Sequence, residues 1–337
     1  MMRSAGLFDL QVNGYAGIDF NDPGVTGRDM DHAFEAMRVA GVTGCLPTII
    51  TATRAEIAAR LTALDAAVAA SQLGRAMVPG YHLEGPFLND GEGYHGCHPP
   101  SAMQDPDAGF IADLDAALKR PVMLVTLAPE RPGGVAATAR LAAMGKVVAI
   151  GHSAAGHDTV EAAVEAGAAL STHLGNGLPA QLPKLENTLL AQLAQPSLHA
   201  CLIADGHHMS PQALAALIRL KGPERCVLVT DAVAAAGAAP GRHPFAGMQV
   251  TLGPDGKVTQ PGAHGLAGSA LCLDQAVRNV VTWKIVSPVE AVAMAGDRPR
   301  RAMARAFARA GLCPDPGSVE WTPDLKPRLI NAGNMTG

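Results

Sequence analysis

One pattern recurs along the first two-thirds of the chain: a short apolar run, then a turn, then an Ala- and Leu-rich stretch with helical periodicity. This alternation predicts βα units, because buried parallel strands are continuously apolar and each crossover to the next strand is usually helical. Eight apolar runs follow this rhythm: Leu7–Val12, Cys45–Ile50, Val78–Glu84, Val122–Leu127, Val147–His152, Leu170–His173, His199–Ala204 and Val227–Asp231.

Eight strands that alternate with helices over roughly 230 residues predict a (β/α)8 barrel of the TIM type, an α/β fold. A doubly wound open sheet is the alternative. Only 4% of the residues are aromatic, so the core must consist of small branched side chains, which suit a parallel sheet under Ala-rich helices. Helices are expected, for example, over Thr53–Ala70, Thr159–Ala166 and Ser210–Leu220, the last with Pro211 at its first turn.

Beyond the eighth run the pattern changes. Two short strand-like runs surround Pro254-Asp255-Gly256 within Phe245–Gly265, which predicts a hairpin over the carboxyl-terminal face of the barrel. Helical patterns then cover Ser269–Trp283 and Pro288–Ala310, and a proline-rich tail follows with a predicted strand at Pro327–Asn331.

Composition excludes several classes of partner. The chain has 26 basic and 30 acidic residues, a net charge of -4 and no basic cluster, which argues against nucleic acid. No run approaches about 18 apolar residues, and Met1–Asn13 has no signal-peptide pattern, so we expect a cytoplasmic protein without a membrane partner. Six cysteines without a Cys-x-x-Cys pair argue against a zinc knuckle or a disulfide framework.

Four polar side chains end predicted strands: Glu84 in the third, His152 in the fifth, His173 in the sixth and Asp231 in the eighth. The carboxyl ends of barrel strands share one face, on which active sites are built. Two imidazoles and a carboxylate can hold a divalent metal with room for water, while a second carboxylate handles protons. The combination predicts a metal-dependent hydrolase.

Each of these residues also has an explanation without catalysis. A single histidine at a strand end more often donates structural hydrogen bonds, and Asp231 could simply cap the following loop. Glu84 is harder to explain in this way, because a carboxylate that ends an apolar strand is costly to bury unless it is paired or bound to a metal. The hydrolase prediction therefore depends on the four residues together.

Short motifs extend this pattern along the chain. They are His82-Leu83-Glu84-Gly85-Pro86-Phe87, Leu127-Ala128-Pro129-Glu130, Gly151-His152-Ser153, Thr172-His173-Leu174, Asp205-Gly206-His207-His208, Val229-Thr230-Asp231-Ala232 and Gly268-Ser269. In this order they resemble the N-acetylglucosamine-6-phosphate deacetylases of the amidohydrolase superfamily, over roughly residues 6–310. The motif around Glu84 is the most specific of them.

The resemblance implies roles for individual residues. Glu84, His152 and His173 would bind one divalent metal ion, with zinc expected first and iron, manganese or cobalt as alternatives. Asp231 would be the catalytic acid and base, taking a proton from the attacking water and returning it to the departing amine. The implied substrate-binding residues are His98, Asn176, Gly177 and His208, with His95 as the alternative to His98.

Two departures from the family pattern concern metal and phosphate. Many amidohydrolases carry His-x-His on strand one, whereas Gln11-Val12-Asn13 stands here, and amides ligate divalent metals poorly, so a single metal is favoured. Gln11 and Asn13 would either orient water or substrate or be ordinary polar residues at the barrel mouth. Lys184 is the candidate substitute for the phosphate-binding arginine of relatives, although a lone loop lysine is usually just solvated.

We therefore expect a catalytic barrel over residues 1–310, with a hairpin insertion at about 245–265, and a tail over 311–337 that is the remnant of the small β-domain of relatives. The expected reaction is deacetylation of an N-acetylated amino sugar, by default N-acetylglucosamine 6-phosphate. The alternatives are an unphosphorylated or different N-acyl substrate at the same metal site, and a non-catalytic sugar-phosphate-binding barrel. Relatives are often dimers, so a homodimer is one expectation, although the residues themselves leave the oligomeric state open.

Overall fold

The computed structural model describes residues 2–262 and 265–330. Its strands, in chain order, are β1 (Met2–Ser4), β2 (Leu7–Val12), β3 (Gly14–Tyr15), β4 (Ile18–Asp19), β5 (Val42–Ile50), β6 (Tyr81–Glu84), β7 (Val122–Leu127), β8 (Val147–Ile150), β9 (Ala168–Ser171), β10 (His199–Ile203), β11 (Cys226–Val229), β12 (Gly241–Phe245), β13 (Met248–Leu252), β14 (Val258–Thr259), β15 (Val319–Trp321) and β16 (Pro327–Leu329).

Helices fill most of the connections between these strands. They are α1 (Gly27–Val39), α2 (Arg54–Ala70), α3 (Gly74–Met77), α4 (Ala108–Ala117), α5 (Gly134–Ala143), α6 (His157–Glu165), α7 (Thr188–Ala194), α8 (Pro211–Lys221), α9 (Leu273–Thr282), α10 (Pro288–Ala295), α11 (Asp297–Ala302) and α12 (Ala304–Arg309). Among the described residues, none of them is both long enough and apolar enough to cross a bilayer.

The central sheet is the predicted parallel barrel. Strands β2, β5, β6, β7, β8, β9, β10 and β11 pair in the order in which they occur in the sequence. The first and last of them meet where Asp231 donates its backbone N–H to the carbonyl of Gln11 at 3.0 Å and Asn13 donates to that of Ala232 at 2.7 Å. Side chains fill the interior and helices cover the outside, so most of these strands are buried on both faces. The structure thus confirms the (β/α)8 fold and excludes the open sheet.

Three site residues lie just beyond the strands that were predicted to contain them. Strands β8, β9 and β11 end two residues before His152, His173 and Asp231, respectively. These residues have φ angles of 50°, 25° and 48°, which belong to the left-handed region and cannot continue an extended strand. The sequence pattern placed each of them at the correct strand end, but it could not show the reversal of the backbone.

Local signals account for the helix boundaries. Thr53 and Glu56 form a capping box at the start of α2, and Ser210 caps α8 in front of Pro211. The helix predicted over Pro288–Ala310 is instead divided into α10, α11 and α12. Pro299 has no N–H to donate to the carbonyl of Ala295, so it lies in the first turn of a new helix, α11, which begins after a break at Gly296.

Three small antiparallel sheets complete the fold, and the smallest is the two-stranded pair β3-β4. The inserted sheet β12-β13-β14 starts earlier than predicted, at Gly241, and its turn between β13 and β14 contains Pro254-Asp255-Gly256. The second sheet has the order β1-β15-β16 and joins both ends of the described chain. Strand β1 was not predicted, since three residues are too few to show an apolar alternation. Of the predicted tail strand, Asn331 lies outside the described residues, as do residues 263 and 264 of the predicted insertion.

Candidate active site

A cavity of about 390 Å³ opens at the carboxyl-terminal mouth of the barrel. Its walls come from the ends of β5 and β6 and from the loops that follow β6, β8, β9, β10 and β11. Eight residues predicted from the sequence line it: Glu84, His98, His152, His173, Asn176, Gly177, His208 and Asp231. The structure therefore brings together side chains that are far apart in the sequence.

Glu84 is the centre of a cluster of histidines. Its Oε1 lies 3.1 Å from Nε2 of His173 and 3.5 Å from Nε2 of His152, and its Oε2 lies 4.0 Å from Nε2 of His98. The ring centroids of His98 and His152 are 4.6 Å apart, and those of His152 and His173 are 4.9 Å apart. Ligand atoms of Glu84, His98 and His152 all lie within 4.8 Å of one another, whereas the predicted ligand His173 joins this group through its contact with Glu84.

The cluster fits a divalent cation. Nε2 of His152 is buried and has no hydrogen-bond partner within the described part of the chain, although it faces the Glu84 carboxylate. An unpaired buried nitrogen is costly unless something else coordinates it. One carboxylate with two imidazoles is a donor set suited to zinc and similar first-row ions. This cluster could therefore bind a divalent metal ion.

Strained backbone holds three of the site residues. A left-handed φ at a non-glycine residue costs of order 1–3 kcal/mol, and His152, His173 and Asp231 all have one. Surrounding hydrogen bonds support this geometry: for His152, Nδ1 lies 2.6 Å from the carbonyl oxygen of Tyr94. With the proton on Nδ1 in this contact, Nε2 keeps its lone pair towards Glu84.

Two amides hold the carboxylate of Asp231. Nδ2 of Asn13 and Nε2 of Gln11 donate to Oδ1 of Asp231 at 2.8 Å and 3.1 Å. Gln11 Nε2 also donates to Oε2 of Glu84 at 3.0 Å. One amide group thus bridges the two carboxylates and partly compensates their mutual repulsion. No described residue donates to Oδ2 of Asp231, so that oxygen is available to the cavity.

Burial sets the protonation states of the cluster. Burial and the negative charge of Glu84 raise the pKa of Asp231 to about 6. For Glu84, burial alone would raise the pKa, but the neighbouring imidazoles of His152 and His173 hold it well below the ordinary value. Burial lowers the pKa of His98 to about 3, so its imidazole is neutral. A carboxyl with a pKa near neutrality beside an ionised one is typical of acid–base catalysis.

Of the remaining predicted site residues, some line the cavity and others do not. His208 lines the cavity, and its Nδ1 lies 2.6 Å from Oδ2 of Asp205, an interaction that was not predicted. Nε2 takes no part in that contact. Gly177 has a φ of 63°, and a Cβ there would lie 2.6 Å from Nδ1 of His152, so only glycine fits against this ring. His95 and Lys184 do not line the cavity, in contrast to His98.

Sequence analysis missed part of the wall. The inserted sheet and its flanking loop contribute Phe245 and Gln260, and Cys97 and Leu178 also line the cavity. The sequence predicted a hairpin over this face, but which of its side chains reach the cavity depends on how the insertion folds over the mouth. Among the described lining residues there is no lysine or arginine.

The chain is similar to known deacetylases. It is 35% identical over 293 residues to the N-acetylgalactosamine-6-phosphate deacetylase of Escherichia coli O157:H7, covering 87% of this chain and 76% of the relative. It is 33% identical over 301 residues to the N-acetylglucosamine-6-phosphate deacetylase of Vibrio furnissii, covering 88% and 73%.

A solved structure shows the same similarity. An alanine variant of the Mycobacterium smegmatis N-acetyl-D-glucosamine-6-phosphate deacetylase, in complex with N-acetyl-D-glucosamine-6-phosphate, superposes with a TM-score of 0.85 at 29% identity. The superposition covers 98% of this chain and 86% of that one. No protein-family model matches the chain.

Proposed function

Because the chain belongs to the N-acetylglucosamine-6-phosphate deacetylase family, we propose that the cavity at the barrel mouth is its active site. The protein is a hydrolase that cleaves an amide C–N bond, and its reaction converts N-acetylglucosamine 6-phosphate to glucosamine 6-phosphate and acetate. One observation supports this location above the others: Asp231 lies in the same cavity as Glu84, His152 and His173.

We assign the metal-binding role to Glu84, His152 and His173, with one divalent cation and zinc as the first choice. The unpaired Nε2 of His152 and the low pKa of Glu84 support this set, because ligands must be deprotonated at working pH. A cation bound there supplies Lewis acidity to the attacking water and to the acetyl carbonyl. His98 is the alternative third ligand if His173 does not coordinate.

Asp231 carries the proton in this proposal. Its Oδ2 accepts a proton from the attacking water while Oδ1 stays hydrogen-bonded to Gln11 and Asn13. As the C–N bond breaks, the same oxygen returns that proton to the amine nitrogen of the sugar, so that acetate and the free amine leave. No other acid is needed, and the carboxylate is regenerated.

His98 is assigned to the acetyl carbonyl oxygen. Its Nδ1 lies 2.8 Å from Oγ1 of Thr51, and in the tautomer with the proton on Nε2 the imidazole can donate to a carbonyl oxygen in the cavity. His208, Asn176 and the backbone of Gly177 are assigned to the sugar and its phosphate because they line the same cavity. Lys184 receives no role, since it is exposed outside the cavity.

Acetate release from purified protein loaded with Zn²⁺ tests the function. N-acetylglucosamine 6-phosphate, N-acetylgalactosamine 6-phosphate and unphosphorylated N-acetylglucosamine are compared at equal concentration. We expect turnover of a 6-phosphate sugar and much weaker turnover without the phosphate. Equal turnover of the phosphorylated and free sugars would favour the unphosphorylated substrate, and inactivity on all three with metal bound would refute the proposal.

We also propose the identity of the metal and the oligomeric state. Elemental analysis of protein purified without added metal is expected to find about one zinc per chain. Light scattering is expected to give the mass of a homodimer. A different first-row metal or a monomer would change these two assignments and leave the site residues as they are.

A further inference from the structure

Glu130 is the last residue of the Leu127-Ala128-Pro129-Glu130 motif, which the proposed mechanism does not use. Its carboxylate lies outside the cavity and accepts three hydrogen bonds. Oε1 accepts from Nδ2 of Asn89 at 2.9 Å and from the backbone N–H of Ala154 at 2.6 Å, and Oε2 accepts from Oγ of Ser153 at 2.7 Å. The donors belong to two loops, one that follows β6 and one that follows β8.

The first route from Glu130 leads to the backbone of His152. Ser153 and Ala154 directly follow this histidine, and the N–H of Asn89 donates to its carbonyl at 3.0 Å. The left-handed φ of His152 is unfavourable without such support. Glu130 therefore fixes the backbone directly after His152, through Ser153 and Ala154, and holds Asn89, which contacts the carbonyl of His152.

The second route leads to the imidazole ring. Oδ1 of Asn89 accepts from the N–H of Gly91 at 2.8 Å, and the N–H of Tyr94 donates to the carbonyl of Gly91 at 3.1 Å. The carbonyl of Tyr94 then contacts Nδ1 of His152 at 2.6 Å. The contact with Asn89 thus stabilises the loop whose carbonyl selects the tautomer of His152.

We propose that Glu130 is a positioning residue for the metal ligand His152. Through Ser153 and Ala154 it sets the backbone of the histidine, and through Asn89 it sets the loop that orients the ring. This inference rests on the proposed metal site, and it adds that the affinity of the site depends on a carboxylate that does not touch the metal. Partners behind metal ligands typically contribute 10–100-fold in metal affinity.

Competition for Co²⁺ with a chromophoric chelator tests the proposal, at a temperature where circular dichroism shows every variant folded. Glu130→Ala is expected to bind Co²⁺ about 10–100-fold more weakly. Glu130→Gln keeps one side-chain oxygen, which can still accept from Asn89 and Ala154, so its loss of Co²⁺ affinity should be smaller. Glu161→Gln, the same change on the exposed face of α6, is the matched control and should bind as the parent does.

A double variant checks the route. If Glu130 acts through Ser153, adding Ser153→Ala to Glu130→Ala should weaken Co²⁺ binding much less than Ser153→Ala does alone. Should Glu130→Ala fail to fold, Ser153→Ala and Asn89→Ala each remove one route and are expected to weaken binding individually. At subsaturating metal, kcat should decrease across the variants in the same order as their Co²⁺ affinity. At saturating metal it should return to the parent value.

The outcomes separate this proposal from the proposed function. Unchanged Co²⁺ affinity in the folded variants, with or without a lower melting temperature, would show a merely structural role and overturn the inference. Failure of the parent protein itself to bind Co²⁺ or Zn²⁺ would instead overturn the proposed metal site. Parent binding with selective loss in the Glu130, Ser153 and Asn89 variants supports the inference.

Discussion

Asp231 illustrates how a single residue acquires a chemical role from its neighbours. One carboxylate oxygen is occupied by two amide donors, and the other faces the cavity. Burial brings its pKa to about 6, so the same group can accept and release a proton near neutrality. Gln11 and Asn13 act here as the hydrogen-bond donors that hold this carboxylate.

Asp231→Asn is expected to lower kcat by about 10²–10⁴-fold, because an amide cannot take the proton of the attacking water. Metal content should stay at the parent level, since Asp231 is not among the assigned ligands. Acetate release and elemental analysis measure the two effects. Asp255→Asn, in the exposed turn of the inserted sheet, is the control. Activity within threefold of the parent would contradict the catalytic role.

At the scale of elements, the sheet β1-β15-β16 joins the two ends of the described chain beside the barrel. Trp321 is 1% exposed, and its Nε1 donates to Oγ of Ser4 in β1 at 2.9 Å. Thr43 and Arg300 both hydrogen-bond the carbonyl of Pro316, which attaches the tail to the barrel. We therefore propose that residues 311–330 and strand β1 together form a small covering sheet that is part of the same folding unit as the barrel.

Trp321→Ala should lower the free energy of unfolding by about 3–5 kcal/mol, because it removes a large buried side chain and leaves a cavity. Urea denaturation followed by circular dichroism measures this change. Arg3→Ala is the control in the same sheet, since the Arg3–Glu320 pair is exposed and contributes at most about 1 kcal/mol. A loss for Trp321→Ala no larger than that of the control would show that the sheet is dispensable.

At the scale of the whole molecule, a buried carboxyl lies where the barrel closes. Asp9 is 1% exposed, and its Oδ2 accepts from Oγ1 of Thr230, across the junction between β2 and β11, at 2.6 Å. Burial raises its pKa from 3.8 to about 7. The folded state therefore binds a proton that the unfolded state releases at a lower pH.

This shift predicts that stability falls as the pH rises. Between pH 4 and pH 7 the folded state holds more protons at Asp9 than the unfolded state does, so the free energy of unfolding should decrease by about 1.4 kcal/mol per pH unit and level off above pH 7. Asp9→Asn keeps the shape and removes the titration. Denaturant midpoints of the parent should fall from pH 5 to pH 7 and change little between pH 7 and pH 8, whereas those of the variant should lack this fall. Identical pH dependence of the two proteins would refute the prediction.

Much of this architecture follows from local patterns. The length and spacing of the apolar runs predict the eight strands, because a buried strand consists of apolar residues that are visible in its own segment of the sequence. Glu84, His152, His173 and Asp231 were found for the same reason, since a polar residue directly after an apolar run is visible in sequence. The order of the strands in the sheet also follows from the chain order, because βα crossovers place consecutive strands side by side.

Other features were decided only by the tertiary structure. The bridge from Gln11 to Glu84 and Asp231 joins residues 73 and 220 positions apart, and it exists only when the barrel closes. The position of His98 rather than His95 in the cavity depends on how the loop after β6 folds against β8. Sequence patterns record what each segment buries, whereas hydrogen bonds between distant loops depend on distances that no segment contains by itself.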